Sequence, residues 1–565
     1  MATAILWWLA VSRPWGFVPG WVALAPIVWA ARGMTPRRAL RFGWGAGAMG
    51  FWLVNWWIIP TIAHAAPSIG LPVLLGAPLG ALAVLIIALV HGLQVALSLS
   101  LAQRARAWRG PWAMAAVFAL AWGVGEWART LGSGAHSWGA LAFSQWRDLP
   151  MLQNVRWMGQ HGLSAFCAFC AAALALGLEA WLRSRRNAPS PSSPASTSRA
   201  STSPNTSRAA RSSAPGSPVS SSAAQPGRSL FSPRGWNWAG AGALWGVPLA
   251  ALALLHGWGS WRLAAHPARG SGARASGSGT LKVLLVQTNL ASVRKDSESP
   301  VSAALRLTND FFALHPNAAR PDVVVWPETT LSGFIHRRSG AGESAGAGEP
   351  ERVEGLEAEQ VRGWARARGV PVLVGSSLHD IGLDGRKMVR NDAVWFEPDG
   401  SVQRRGKTRP VPFGERALFS EWMPFLETFA PSPMVEPDKA RGPMKVLSRG
   451  RALAIGTVIC FESAFSHPAL EAARGAQALM VLTNDEWFGQ TEAPFQHAAM
   501  GVLRAVECGV PLAQAANGGR SFAVDRYGRA LQQDLSRGPI EPSDGMAPVH
   551  REEVLEMNLP LDDAE

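Results

Sequence analysis

The sequence predicts a multi-span α-helical membrane bundle joined to a layered α/β domain. Three observations carry this expectation. Before residue 260 long apolar runs contain almost no acids, after residue 280 short β-branched runs alternate with helix-like stretches, and in the first half Arg residues cluster in alternate loops. At 565 residues and 48% hydrophobic content the chain exceeds one ordinary domain. The net charge of +13 would suit a nucleic-acid binder, but many of the cations sit between apolar runs and no nucleic-acid-binding motif accompanies them.

A membrane-crossing helix needs about 20 mostly apolar residues. Such runs occur near 16–32, 43–63, 71–100, 111–130, 158–182 and 236–258. The shorter "ATAILWWLA" precedes them as a truncated first span or one half of a tight hairpin, and Arg13-Pro14 offers no small-residue cleavage site for a signal peptide. Three loops are marked as cytoplasmic by Arg32, Arg37, Arg38 and Arg41, by Arg104, Arg106 and Arg109, and by Arg183, Arg185 and Arg186. "HAAPSIG" (64–70) has neither Lys nor Arg and is expected to face outward, which puts everything beyond about 260 outside the cytoplasm. Residues 187–235, rich in Ser, Pro, Ala and Arg and free of acids, cannot bury a core and read as a disordered cytoplasmic linker. Four cysteines are too few for a disulfide framework, and Cys167 and Cys170 lie in an apolar run where helix packing explains them. The domain plan is a bundle over 1–183, a linker over 184–235, a last helix at 236–258, an α/β domain over 275–545 and a polar tail over 546–565.

In the second half, strand-like runs fall at 281–290, 321–328, 370–377, 392–400, 453–462, 478–485 and 510–518. Helical stretches fall at 300–314, 355–368, 463–473 and 496–508. Three strand or loop ends carry chemistry. "VVVWPE" ends on Glu328, where Pro327 keeps the preceding residue extended. "GKTRPVPFGE" supplies Lys407 and then Glu415, and "AIGTVICFE" supplies Cys460 and Glu462. Singly, each is ordinary: a solvated acid, a surface cation, a core thiol. Jointly they form a nucleophile set, in which a carboxylate takes the thiol proton and an ammonium stabilises the oxyanion on the way to a thioester.

In order and context, "WPE", Lys407 followed by "VPFGE", "CFE", "LTNDEWFG" and "NGGRS" resemble the carbon-nitrogen hydrolase (nitrilase) superfamily, and more closely its membrane-embedded branch, the apolipoprotein N-acyltransferases. The resemblance runs from about 16 to 535 outside the linker. It implies a nitrilase-like α-β-β-α sandwich on the periplasmic side of the bacterial inner membrane, with Glu328 as general base, Lys407 as oxyanion cation and Cys460 as acylated nucleophile. Glu415 matches a second essential acid, and Phe461 and Glu462 match the family's Tyr-Glu with Phe in place of Tyr. Trp138, in the outward loop after "EWART", matches a membrane-domain Trp near the site. Asn484, Asp485, Trp487, Phe488 and Gly489 match a strand-end signature, and Asn517, Gly519 and Ser521 a later turn.

The implied reaction is ping-pong acyl transfer from a phospholipid, typically phosphatidylethanolamine, to the α-amine of an S-diacylglyceryl-cysteine apolipoprotein. It needs neither cofactor nor metal, and a monomer is expected to perform it. A membrane-anchored amidohydrolase, with water resolving the thioester, uses the same triad, and a structural role without catalysis is a weaker third reading. The apolar, aromatic segment 417–431 is either a lid dipping to the membrane interface or ordinary packing over the sandwich. The family returns through the membrane near its C-terminus, whereas "HREEVLEMNLPLDDAE" contains no run long enough to cross.

Overall fold

The computed structural model describes residues 1–69, 72–186, 238–267, 279–290, 298–336, 352–381, 387–412, 414–417, 423, 434–439, 442–531 and 549–561. The linker expected at 187–235 and most of segment 417–431 lie outside the described residues.

Among the described residues of the first half, three helices are long and apolar enough to cross a membrane: Leu74–Ala128, Val155–Arg186 and Gly242–Ala265. A fourth span arises if Pro36–Val54 and Ile58–Ala65, bent by 51° at their junction, count as one. The first of these is two legs. Gly110 takes φ 81°, open to glycine at no steric cost, and Pro111 cannot continue the hydrogen-bond ladder. The chain reverses there, because Gln94 Nε2 donates to Trp122 O at 3.2 Å, whereas 28 residues of straight helix would separate the two by about 42 Å. The runs expected at 71–100 and 111–130 are therefore antiparallel neighbours.

The span expected at 16–32 does not form one crossing helix. It divides into the short helices Phe17–Gly20 and Ala25–Ala30, separated by a turn at 21–24, with Pro26 in the first turn of the second helix, where a proline starts a helix rather than continues one. The preceding Ala2–Ser12 is one arm of a short hairpin with them. Its Trp7 is fully buried, donates to Gly139 O at 2.7 Å and meets Phe51 and Trp122 edge-on.

The Arg-rich segments share one end of the bundle: Gln103 Nε2 donates to Ala31 O at 2.9 Å, and Arg106 and Arg183 both pair with Glu179. The second half sits at the other end, where Arg409 reaches Thr130 O at 2.8 Å and His64, in the cation-free loop, lies 3.1 Å from Glu486.

That half contains twelve strands among the described residues: β1 Thr280–Gln287, β2 Val323–His336, β3 Arg352–Glu354, β4 Val372–Ile381, β5 Lys387–Phe396, β6 Val402–Gly406, β7 Met444–Ser448, β8 Arg451–Ile459, β9 Ala478–Asn484, β10 Leu512–Asn517, β11 Phe522–Val524 and β12 Glu553–Pro560. One sheet runs β12-β1-β2-β4-β5-β6 with β3 on β2, the other β11-β10-β9-β8-β7. Period-two alternation assigns their faces. Leu281, Val283 and Leu285 of β1 join the core between the sheets with Ile455, Met480 and Leu482, while Leu284 and Val286 face the outer core under helices Pro300–Leu314 and Leu356–Arg368. Helices Ser466–Ala473 and Ala493–Cys508 cover the second sheet, which completes an α-β-β-α sandwich.

The C-terminal segment expected as a polar tail contains β12, antiparallel to β1 with Met557 opposite Val283 and Leu555 opposite Leu285. Its acids mask an alternation in which Leu555, Met557 and Leu559 fill the inter-sheet core.

Candidate active site

Glu328 is set by an irregularity in β2. The pairing of β2 with β4 slips between Trp326 and Leu331, and Thr329 takes φ 56° in this bulge. The bulge presses Glu328 against Gly375 of β4, where a Cβ would stand 2.3 Å from the Glu328 Cα, so only glycine fits opposite. The carboxylate is buried; its Oε1 accepts from Lys407 Nζ at 2.9 Å and Asn391 Nδ2 at 2.7 Å, and its Oε2 from the Asn484 backbone N–H at 2.9 Å.

Lys407 follows β6 and is 1% exposed. Its second hydrogen bond, also 2.9 Å, goes to Glu415 Oε1, and Asn391 Nδ2 reaches the same oxygen at 2.8 Å. The ammonium and one amide group thus bridge two carboxylates, and two of the three lysine donors are engaged. Burial alone would lower the lysine pKa, but Glu328, Glu415 and the Cys460 thiol together hold it well above its usual value.

Cys460 ends β8 in the left-handed region at φ 49°, turning the chain into the 3-10 segment Cys460–Ala464. Such a conformation costs about 1–3 kcal/mol outside glycine and persists only where surroundings enforce it. Glu462 is part of that enforcement. Its Oε2 accepts from Ile459 N at 2.9 Å, and its Oε1 from Thr408 N at 2.7 Å, Thr408 Oγ1 at 2.6 Å and Arg409 N at 3.2 Å. The Cys460 turn and the Lys407 loop are fastened through one carboxylate. Burial pushes the Cys460 thiol well up and the Glu328 charge pushes it further, against which Lys407 and the Thr483 hydroxyl favour the thiolate.

Trp138 from the bundle stacks on Phe461, ring centroids 6.0 Å apart and planes within 13°, with Phe488 and Trp57 against its other sides. Asn484 gives its side chain to Thr329 Oγ1, and Asn517 ties Asn484, Thr288 and Leu290 together. Gly519 underlies Asp485, where a Cβ would meet Oδ2 at 2.4 Å, and Ser521 Oγ caps the Ala516 N–H. Trp487 is half-buried on the turn Glu486–Phe488 and, among the described contacts, touches no triad member.

Sequence reasoning missed Asn391, Thr408, Thr483 and His497. Asn391 stands on β5 beside Asp392, in the polar first half of the strand with Lys387 and Arg390, and nothing local set it apart. His497 was one histidine in a helical stretch, but it is fully buried and bonded to Asp485. The donor atoms of Cys460, Asp485 and His497 lie within 4.8 Å of one another, and these residue types suit zinc. In this structure they are wired to one another and to Thr483 and Ser463 as a hydrogen-bond network.

The sandwich with this site defines a carbon-nitrogen hydrolase domain, and the pattern of that family, "Carbon-nitrogen hydrolase", matches residues 286–539. The first half matches "Apolipoprotein N-acyltransferase N-terminal domain" over residues 3–173. The chain thus joins a domain that matches the apolipoprotein N-acyltransferase N-terminal family to one that matches the carbon-nitrogen hydrolase family. It is similar to the apolipoprotein N-acyltransferase from Geobacter metallireducens, 27% identical over 572 residues that cover 99% of this chain and 88% of the relative. It is also similar to that from Brucella melitensis, 31% identical over 298 residues covering 50% of each. Among solved structures, an amidase from Nesterenkonia sp. aligns at 21% identity and TM-score 0.31, covering 50% of this chain and 90% of that one.

Proposed function

We propose that the protein transfers an acyl chain from a membrane phospholipid to the N-terminal amine of an S-diacylglyceryl-cysteine apolipoprotein, through a thioester on Cys460. One observation carries this reading beyond a soluble amide hydrolase: Trp138 of the apolar bundle stacks on the residue next to the nucleophile, so the thiol sits where the bundle meets the sandwich. A lipid acyl chain lying along the bundle reaches the thiol without leaving an apolar surface. The donor we favour is phosphatidylethanolamine, and we take the active unit to be a monomer.

In the first half-reaction Glu328 accepts the Cys460 proton as Sγ attacks the ester carbonyl, and the third donor of Lys407 meets the oxyanion. Collapse breaks the ester C–O bond, Glu328 returns the proton to the leaving alkoxide, and a lysophospholipid departs. In the second, the acceptor amine attacks the thioester, its proton passes to Glu328, and the C–S bond breaks to give the amide and the thiol. The three Arg-rich segments at the end of the bundle away from the site support a periplasmic active site in a multi-pass inner-membrane protein.

The test offers the detergent-solubilised protein a phospholipid labelled in its acyl chain together with a diacylglyceryl peptide bearing a free amine. Label is expected on Cys460 and then on the peptide. Release solely as free fatty acid would establish the water-resolved hydrolase instead. Cys460→Ser should stop capture, whereas Cys508→Ser, at the end of a helix away from the triad, should not.

A further inference from the structure

The mechanism above leaves unused a pair of titratable groups directly beneath the nucleophile. His497 and Asp485 are both 0% exposed, with His497 Nδ1 2.8 Å from Asp485 Oδ1. The other ring nitrogen, Nε2, lies 3.1 Å from the carbonyl oxygen of Cys460 itself and 2.8 Å from Ser463 Oγ. Asp485 Oδ1 also accepts from Thr483 Oγ1 at 2.7 Å, and the Thr483 hydroxyl faces the Cys460 thiol. A string of side chains therefore leaves the nucleophile's sulfur through Thr483 and Asp485 and returns through His497 to the nucleophile's own backbone.

The ring's protonation follows from its partners. A carboxylate oxygen on one side and a carbonyl oxygen on the other both accept, so a ring carrying both protons satisfies these two contacts at once, with the Ser463 hydroxyl also beside Nε2. Burial opposes that charge, but Asp485, the Cys460 carbonyl and Glu328 hold the imidazole pKa above its ordinary value. Beyond Asp485, the charged group acting on the ring is Glu328, and the bundle contributes the ring of Trp138, 5.9 Å from that of His497.

We propose that His497, as a buried imidazolium held by Asp485, is a positioning residue for acyl transfer: it anchors the Cys460 carbonyl, keeps the nucleophile in its left-handed turn, and leaves the Thr483 hydroxyl free to turn from Asp485 to the thiolate. His497 keeps its proton throughout, and the thiol proton goes to Glu328. The proposal rests on Cys460 being the acylated residue.

Two variants separate the parts of this role. In His497→Gln the amide nitrogen takes the place of Nε2, so the carbonyl anchor survives without the charge; in His497→Asn the Nδ1 side survives and the anchor is lost. The assay is alkylation of Cys460 by iodoacetamide across pH, read by mass spectrometry on the full chain in detergent, with thioester formation from labelled phospholipid alongside. His497→Gln is expected to move the alkylation midpoint up by about one pH unit, about tenfold less thiolate at neutral pH. His497→Asn should add a further loss of acylation rate. Thr483→Val, nearly isosteric, should shift the midpoint in the same direction and decides the matter if neither histidine variant folds. A folded His497→Gln with wild-type midpoint and acylation rate overturns the proposal, as does an unshifted Thr483→Val when the histidine variants do not fold. Acyl label persisting in Cys460→Ser would instead overturn the assignment of the nucleophile.

Discussion

Replacing Glu462 by Gln tests whether its carboxylate is a structural fastener or a proton carrier. The side chain is 3% exposed and accepts four hydrogen bonds, three from the lysine loop at Thr408 and Arg409 and one from Ile459, the residue before the nucleophile. A glutamine offers one oxygen. If that oxygen keeps the loop, its amide nitrogen confronts the Ile459 N–H, and an orphaned buried donor costs about 1–3 kcal/mol. The remaining bonds fall from charge-assisted to neutral, but burial already raises the Glu462 pKa and so offsets part of that loss. A net loss of about 3 kcal/mol follows, read as a melting temperature lowered by roughly 5–10 °C. A displacement of Lys407 relative to Cys460 by about 1 Å lowers the acylation rate on the order of a hundredfold. Thermal unfolding followed by tryptophan fluorescence and single-turnover thioester formation measure the two effects on one sample. Wild-type melting with wild-type acylation would refute the fastener. Wild-type melting with abolished acylation would assign Glu462 a proton-transfer role.

Lys407→Met leaves the buried carboxylate of Glu328 and the half-buried one of Glu415 around Asn391 with no cation between them. It should destabilise by about 3–5 kcal/mol in denaturant titrations and slow thioester formation by about 10²–10³ beyond any loss of folded protein. Raised thiol pKa values at Cys460 and at Cys508, the latter pushed up to about 12, mean that the unfolded chain ionises first as pH climbs. Their contribution to stability should be intact below about pH 8.5 and decline above it, visible as a falling melting temperature that Cys508→Ala reduces. Trp138→Ala removes a buried ring stacked on Phe461 and should destabilise by about 3–5 kcal/mol, with Trp138→Phe recovering most of both stability and acylation. Gly110→Ala forces φ 81° on a residue with a Cβ; no neighbouring atom lies within 4 Å, so only the backbone strain of about 1–2 kcal/mol should appear in unfolding.

The sandwich was legible where burial made strands long and β-branched. β1, β2, β4, β8, β9 and β10 each bury apolar side chains on both faces and left continuous hydrophobic runs. β3 and β11 are three residues long, β6 "VQRRG" is polar, and β12 hides its alternation among acids, so none gave a run above its surroundings. In the bundle the failure has the opposite cause. Hydropathy counts apolar residues without asking whether the backbone is continuous, so 16–32 read as one span although a turn at 21–24 divides it.

At the site, residues that follow apolar runs were visible and those that hold them were not. Glu328 follows the run of β2, although that strand continues past it through a bulge to His336, and Cys460 follows β8, whereas Lys407 follows the polar β6 and was found through "GKTRPVPFGE" rather than through a hydrophobic pattern. Asn391, Thr408 and His497 act through contacts across 63, 54 and 37 residues of sequence, and no local pattern encodes a contact of that kind. The same limit applies between the two halves. Trp57, Trp138, Phe143 and Trp146 of the bundle share one continuous core with Phe461, Phe465 and Cys460 of the sandwich. A tryptophan in an outward loop reads as an interfacial anchor, and in isolation that reading is sound. Packed on Phe461 it joins the core beside Cys460, so the two halves build the candidate site jointly, and a sandwich separated from its bundle would expose that core and lose the face on which the Cys460 turn rests.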